Sequence, residues 1–234
     1  MTTRSSLAKM MEATLLSPTA TKEEVRAFCE RGLEFHLASV CVFPYWARTC
    51  VEVLAGCDVK VCVPVGLPFG TCSTQVKLLE AKTAIGAGAN EIDVVLNMGA
   101  LKSREYLTVS RDLEEIVRIT KFAGMTENGE DVLVHVVLET AHLTKEELES
   151  ACRIALASGA EFVKTGSGLF PCRPGPVEVR LLRQRLGKET GIKVAGDIET
   201  AEEVLRLINT GATRVGTVHA CRIVESVPSE PEEA

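Results

Sequence analysis

Three ionisable residues stand inside runs of sequence that are otherwise apolar. Asp93 lies in the run EIDVV, Lys164 ends the run EFVK, and Lys193 lies in the run IKVA. An ammonium or a carboxylate loses its hydration when it is buried, so proteins seldom bury one without a partner. These three residues are therefore the first candidates for chemistry in the chain.

Two lysines on neighbouring strands would repel each other, and this repulsion, like burial, lowers the pKa of an amine. A neutral lysine amine is the nucleophile that Schiff-base chemistry requires. A nearby carboxylate can accept and return protons in such a reaction. The alternative is a buried ion pair that only holds the fold together, since structural ion pairs also perturb pKa values.

Helices and strands alternate around these residues. Three segments begin with a Thr and a Glu at capping-box spacing, continue with apolar residues at helical spacing and reach a glycine suited to end a helix. These segments begin at Thr21, Thr144 and Thr200 and reach Gly32, Gly159 and Gly211. A short loop into an apolar, β-branched run then follows Gly159 and Gly211, as it also follows Gly88, which is typical of a helix that leads into a buried strand.

The apolar runs predict eight strands. They lie near 13–16, 37–43, 59–66, 91–96, 132–139, 161–165, 192–196 and 213–217. Their nearly continuous apolar character favours a parallel sheet that is buried on both faces. With 234 residues, the chain is close to the roughly 250 of a (β/α)8 barrel.

We therefore predict a single-domain α/β protein, a (β/α)8 TIM barrel over residues 1–226, with a frayed acidic tail at 227–234. A doubly wound open sheet is the alternative. The chain has no G-x-G-x-x-G after its first strand and no GK[ST], so a nucleotide-binding sheet is disfavoured.

Composition excludes several classes of function. With a net charge of −6, the protein has no excess of positive charge to attract nucleic acid or an anionic membrane. No run reaches the roughly 18 apolar residues that a membrane span requires. Nine cysteines without a C-x-x-C pair fit neither a disulfide framework nor a zinc site. We expect a cytoplasmic enzyme without a metal site.

Several strings of the sequence resemble the deoxyribose-phosphate aldolase family in its compact bacterial form. They occur in order from about residue 11 to about residue 224, and FVKTGSG, which matches the family's Schiff-base strand, is the most specific. The others are ATLLSPTAT, VKVCVPVGLPFG, VLNMGALKS, VVLET and GIKVAG.

The resemblance implies a reaction and a role for each of the three ionisable residues. Lys164 would form the imine, Lys193 would depress the pKa of Lys164, and Asp93 would relay protons. The implied reaction is reversible cleavage of 2-deoxyribose 5-phosphate to glyceraldehyde 3-phosphate and acetaldehyde, with no cofactor. A small aldehyde or sugar is then the partner, and relatives suggest a homodimer.

The resemblance also implies a substrate-binding set after the last three strands: Thr165, Gly168, Gly196, Asp197, Glu199, Gly216, Thr217 and His219. The family usually has glycine where Asp197 stands and arginine where Glu199 stands. The first change adds one negative charge and the second shifts the charge by two, about −3 in total where a phosphate should bind. Near the start, Glu12 stands where the family commonly has Asp.

Two interpretations of Asp197 and Glu199 stay open. They could cap the helix that follows, because acidic residues are favoured at helix N-termini. Alternatively, the pocket could accept a neutral or cationic group, with His219 or Lys102 in contact with it. Arg173 is the best remaining candidate for anion binding if phosphate is still the ligand.

The remaining polar candidates are weaker. His135 is interpreted as a core or barrel-layer histidine, whereas Thr140 and His142 could line the mouth of the barrel. Nothing near Cys172 indicates an activated thiol. Two other functions stay open: an isomerase that uses the lysine and aspartate without an imine, and a non-catalytic ligand-binding barrel.

Overall fold

The computed structural model describes residues 3–125, 129, 131–170 and 172–228, and its centre is a closed parallel β-barrel. Eight strands pair in sequence order, and β8 pairs with β1. They are β1 (Met11–Leu15), β2 (Ser39–Val42), β3 (Lys60–Val65), β4 (Glu91–Val95), β5 (Leu133–Val137), β6 (Phe162–Lys164), β7 (Gly191–Ala195) and β8 (Arg214–Thr217). Each overlaps a predicted strand, so the predicted (β/α)8 barrel is confirmed.

Helices connect successive strands on the outside of the barrel. They are α1 (Arg4–Ala8), α2 (Lys22–Glu34), α3 (Ala47–Val53), α4 (Thr74–Gly86), α5 (Met98–Lys102), α6 (Tyr106–Ala123), α7 (Lys145–Ser158), α8 (Pro176–Leu186), α9 (Ala201–Thr210) and α10 (Ala220–Glu225). Short 3-10 turns lie at Pro44–Trp46 and Thr140–His142. The three predicted capping boxes begin α2, α7 and α9.

One predicted helix end is wrong. Helix α2 continues through Gly32 to Glu34, whereas Gly159 and Gly211 follow the ends of α7 and α9 as predicted. A Cβ on Gly32 would lie 2.9 Å from a methyl of Val40. Gly32 therefore lets α2 pack closely on β2, and a packing glycine has the same sequence signal as a C-cap.

Strand register brings the candidate residues together. Lys164 on β6 is the register partner of Lys193 on β7, and Asp93 on β4 is the partner of His135 on β5. Side chains of partners on adjacent parallel strands point to the same face of the sheet. Apolar residues of the strands and helices form a continuous core around this polar interior.

The first described helix contacts one of the last described residues. Arg4 of α1 donates to the backbone carbonyl of Val227 over 2.8 Å. Residues 229–234 lie outside the described residues, so the acidic tail at 227–234 stays a prediction. Among the described helices, none is both long and apolar enough to cross a membrane.

Candidate active site

Two lysines and two carboxylates meet inside the barrel. Nζ of Lys164 lies 2.5 Å from Oδ2 of Asp93, and Nζ of Lys193 lies 3.0 Å from Oδ1 of the same carboxylate. Glu12 on β1 accepts from Lys193 over 2.6 Å and lies 3.7 Å from Nζ of Lys164. All four side chains are buried, so their formal charges balance without help from solvent.

The two lysines are held as ammonium ions. Burial is the largest influence on Lys164 and lowers its pKa, as does the repulsion of Lys193, but the Asp93 and Glu12 carboxylates together outweigh them, so the net shift is upward. The pKa of Lys193 is also raised well above its usual value, because Asp93 and Glu12 outweigh burial. The carboxyl pKa of Asp93 is well below its usual range, since the two ammoniums outweigh burial.

In the ligand-free protein the net pKa shift of Lys164 is upward, so the predicted depression by Lys193 does not by itself make the amine neutral, and this role of Lys193 stays a prediction. Lys193 does oppose protonation of Lys164, but two carboxylates face the two lysines. Glu12 is the member of this balance that the sequence pattern did not single out. Glu12 interrupts the strand MEATL just as Asp93 interrupts EIDVV, so the signal that identified Asp93 could also have identified Glu12.

His135 is a barrel-layer histidine, as the sequence analysis favoured, and it also contacts the charged centre. Its Nδ1 lies 2.7 Å from Oδ1 of Asp93 and 3.2 Å from Nζ of Lys193. Its Nε2 has no hydrogen-bond partner among the described residues and lies 3.8 Å from Glu91, which Arg214 binds over 2.5 Å. The ring therefore links the centre to a second ion pair deeper in the barrel.

Glu139 shapes the loop that follows Lys164. It has a left-handed backbone, with φ of 50°, which is uncommon for a residue other than glycine and marks a constrained position. Its buried carboxylate accepts from the backbone N–H of Ser167 over 2.7 Å. No residue pattern pointed to this role, because the left-handed turn is a property of the folded backbone.

A cavity of about 250 Å³ lies at the carboxyl ends of β6, β7 and β8. Active sites of (β/α)8 enzymes occupy this end of the barrel. Lys164 is the last residue of β6, three positions before the lining residue Ser167. The lining residues are Thr14, Ser167, Gly168, Leu169, Phe170, Cys172, Ala195, Gly196, Asp197, Gly216, Thr217 and Val218.

Five of the predicted substrate-binding residues line this cavity: Gly168, Gly196, Asp197, Gly216 and Thr217. Thr165, Glu199 and His219 do not. The Thr165 hydroxyl accepts from the backbone N–H of Ala195 over 3.0 Å and ties β6 to β7. Glu199 is exposed beyond the cavity, and His219 is half-buried close to Asp197 and Glu199.

Gly196 makes the turn after β7 possible. A Cβ there would lie 2.6 Å from the carbonyl oxygen of Cys172 and 2.7 Å from the ring of Pro174. The loop after β6 therefore packs directly on the Gly196 backbone. This contact fixes where the next residue, Asp197, meets the cavity.

The other polar candidates have contacts of their own. Thr140 donates to the carbonyl of Thr165 over 3.2 Å, and His142 packs edge-on against Phe170, whose ring lines the cavity. Lys102 binds Glu147, and Arg173 binds Glu203. Cys172 lines the cavity, but burial raises the pKa of its thiol, which agrees with its interpretation as unreactive.

The fold and the buried centre together define a (β/α)8 barrel enzyme with a buried lysine at the carboxyl end of β6, paired with a carboxylate. No family model matches the chain, but its relatives of known name within this class belong to one family. A deoxyribose-phosphate aldolase of Thermoanaerobacter sp. is 40% identical over 219 residues, 94% of this chain and 96% of the relative. One of Streptococcus sanguinis is 42% identical over 211 residues, 90% and 92% of the two chains.

Solved structures agree with the sequence relatives. An aldolase named QR15 superposes with a TM-score of 0.86 at 32% identity, over 94% of each chain. A deoxyribose phosphate aldolase from Aeropyrum pernix, described as tetrameric, superposes with a TM-score of 0.87 at 29% identity, over 97% of this chain and 92% of that one. The chain belongs to the deoxyribose-phosphate aldolase family and is a lyase of the aldolase type.

Proposed function

We propose that the protein is a class I aldolase that reversibly cleaves 2-deoxy-D-ribose 5-phosphate to D-glyceraldehyde 3-phosphate and acetaldehyde, with Lys164 as the Schiff-base lysine. The observation that carries the proposal is the 2.5 Å contact between Nζ of Lys164 and Asp93. It joins a buried amine directly to a proton acceptor. A simple binding protein would not need this pairing, and an isomerase that uses the lysine and aspartate without an imine would leave no imine for borohydride to trap.

The ligand-free site keeps the proton on Lys164, so the reaction begins with an uphill proton transfer to Asp93, because only the neutral amine attacks a carbonyl. The amine adds to C1 of the open-chain sugar, and the resulting carbinolamine takes a proton back from Asp93 and loses water to give the iminium. Asp93, ionised again, accepts the C3 hydroxyl proton, and the C2–C3 bond breaks. The electron pair moves into the iminium as an enamine, and glyceraldehyde 3-phosphate leaves.

Release of acetaldehyde reverses the first steps. Asp93 returns its proton to C2 of the enamine, water adds to the resulting iminium, and the C1–Nζ bond breaks. In this scheme Lys193 stays cationic and keeps Asp93 ionised between proton transfers. Glu12 keeps Lys193 in place, since its carboxylate lies 2.6 Å from Nζ of that lysine.

The remaining expectations about partners and compartment are part of this proposal. The partner is a small aldehyde or sugar, and we expect a homodimer, which light scattering on the purified protein tests. A monomer or a tetramer would contradict the dimer. The nine free cysteines support a reducing compartment such as the cytoplasm.

Reductive trapping tests the proposed function. The protein is incubated with acetaldehyde and sodium borohydride, and the modified peptide is identified by mass spectrometry. We expect an N-ethyl group on Lys164, and none after Lys164→Arg. Lys77 is a matched control because it is also a buried lysine, but it lies outside this centre. Lack of an adduct, or an adduct on another lysine, would contradict the proposal.

A further inference from the structure

The cavity beyond Lys164 contains a negative charge where the acceptor end of the substrate must lie. Among the described residues that line it, none is lysine or arginine, and the one charged residue is Asp197. Three others carry hydroxyl groups, Thr14, Ser167 and Thr217. This lining offers hydrogen bonds to a polyol and no positive charge to a phosphate.

Backbone N–H groups could bind a phosphate without a cation, but three of those in the surrounding loops already donate within the protein. Ser167 donates to Glu139, Leu169 to the Ser167 hydroxyl, and Asp197 to the carbonyl of Cys172. A phosphate would have to displace these hydrogen bonds, and the bond from Ser167 to a carboxylate is charge-assisted.

The N-terminus of α9 is also occupied by a carboxylate. The N–H groups of Glu199 and Thr200 both donate to Oε2 of Glu203 over 3.1 Å. Helix N-termini are common phosphate sites because their N–H groups are free. Here Glu203 occupies that place, and its other oxygen binds Arg173 over 3.1 Å.

We propose that Asp197 is a specificity-determining residue that removes selection for the phosphate, so that the acceptor is recognised through its hydroxyl groups. This inference rests on the proposed function. A carboxylate accepts hydrogen bonds from neighbouring hydroxyls of a polyol, and it repels a phosphate dianion. Asp197 is exposed, so solvent weakens the repulsion, and we expect an effect at the low end of the range for neighbouring charges.

The test compares D-glyceraldehyde with D-glyceraldehyde 3-phosphate as acceptors of acetaldehyde. The synthetic direction avoids the different ring equilibria of the two deoxyribose forms. We expect wild-type kcat/KM values for the two acceptors within about tenfold of each other, and a gain of about tenfold for the phosphorylated acceptor in Asp197→Asn. The matched control is Glu202→Gln, which removes the same charge from an exposed residue of α9 outside the cavity lining. It should leave the ratio unchanged.

Three outcomes would overturn the inference. The first is a wild-type preference for the phosphorylated acceptor of a hundredfold or more that Asp197→Asn does not change. The second is a preference for the phosphorylated acceptor that depends on added Mg²⁺ or Zn²⁺ and is abolished by a chelator. Such an ion would bind Asp197, Glu199 and His219, whose ligand atoms lie within 4.8 Å of one another. The third is a change in Glu202→Gln equal to that in Asp197→Asn. Trapping of acetaldehyde on Lys164 is measured on the same samples, and its absence would contradict the proposed function rather than the role of Asp197 alone.

Discussion

Nζ of Lys164 donates to Oδ2 of Asp93 over 2.5 Å in a region closed to solvent. The same carboxylate is 3.0 Å from Lys193, so one anion serves two ammonium ions. Asp93 therefore controls whether Lys164 is charged. This dependence makes the proton transfer from Lys164 to Asp93 the first event of the proposed mechanism and the first one to test.

We expect Asp93→Asn to separate imine formation from turnover. Without the carboxylate, burial and the repulsion of Lys193 lower the pKa of Lys164, and more of the amine is neutral. Borohydride trapping of acetaldehyde should then persist and shift to lower pH. Retro-aldol turnover should fall by about 10²–10⁴, because the proton acceptor is gone.

The control for this variant is its folded fraction, measured by near-UV circular dichroism before each assay, since an unpaired buried charge is destabilising. Loss of trapping at every pH in a folded Asp93→Asn protein would show that Asp93 is needed for the imine itself. An unchanged turnover rate would exclude Asp93 as the proton relay.

Glu12 makes the stability of the fold depend on acid pH. Burial raises the pKa of its carboxyl, but Lys193 and Lys164 outweigh burial, and the net shift is downward. A carboxyl whose pKa is lower in the folded state stabilises the fold above its unfolded value of about 4.3 and loses that effect as pH falls through the folded value. Glu12→Gln should lower the free energy of unfolding at pH 7 by about 3–5 kcal/mol.

Urea denaturation at several pH values measures this effect. The difference between wild type and Glu12→Gln should shrink as pH falls below about 4, because the wild-type carboxyl becomes protonated there. Glu23→Gln, at an exposed position of α2, provides a matched control and should change the free energy of unfolding little at any pH. A difference that is constant from pH 2 to pH 7 would contradict an ionised Glu12.

The sequence predicted the barrel well because each unit repeats the same local signals. Capping boxes, glycines and apolar β-branched runs are all short-range features, and Gly32 misled only because packing and capping both favour glycine. Lys164, Lys193 and Asp93 were found because an ionisable residue in a buried strand is conspicuous.

The upward net pKa shift of Lys164 could not be predicted from the sequence, because it depends on how many carboxylates meet the two lysines in space. Glu12 is 152 positions from Lys164 in sequence, and only closure of β8 onto β1 brings it to the centre. In the same way, Asp197 lines the cavity and Glu199 does not, although the two residues look equivalent in the sequence.

We expect His135 to act as a positioning residue for Asp93. His135→Phe removes the 2.7 Å hydrogen bond to Oδ1 and should lower kcat by about 10–100-fold, which corresponds to a hydrogen bond of about 1.5–3 kcal/mol to a charged group. His135→Asn keeps a polar group near the same position and should recover part of the rate. The pH profile of acetaldehyde trapping should shift in His135→Phe, whereas a purely structural role would change stability and leave the profile in place.

Lys77 and Asp112 form a second buried ion pair, which we expect to be structural. Nζ of Lys77 lies 2.6 Å from Asp112 and donates to the carbonyl of Val95 over 3.0 Å, between α4, α6 and the end of β4. Lys77→Met leaves Asp112 buried without its partner and should lower the free energy of unfolding by about 3–5 kcal/mol, whereas Lys77→Met with Asp112→Leu should recover most of it. Both proteins should keep wild-type kcat per folded molecule, measured at a temperature below their melting transitions.

Lys193→Met, which breaks a pair of similar burial, should lose turnover as well as stability. If Lys77→Met lost turnover while folded, burial of an ion pair in this barrel would not distinguish structure from catalysis, and the assignment of Lys193 would have to rest on trapping and pH profiles alone.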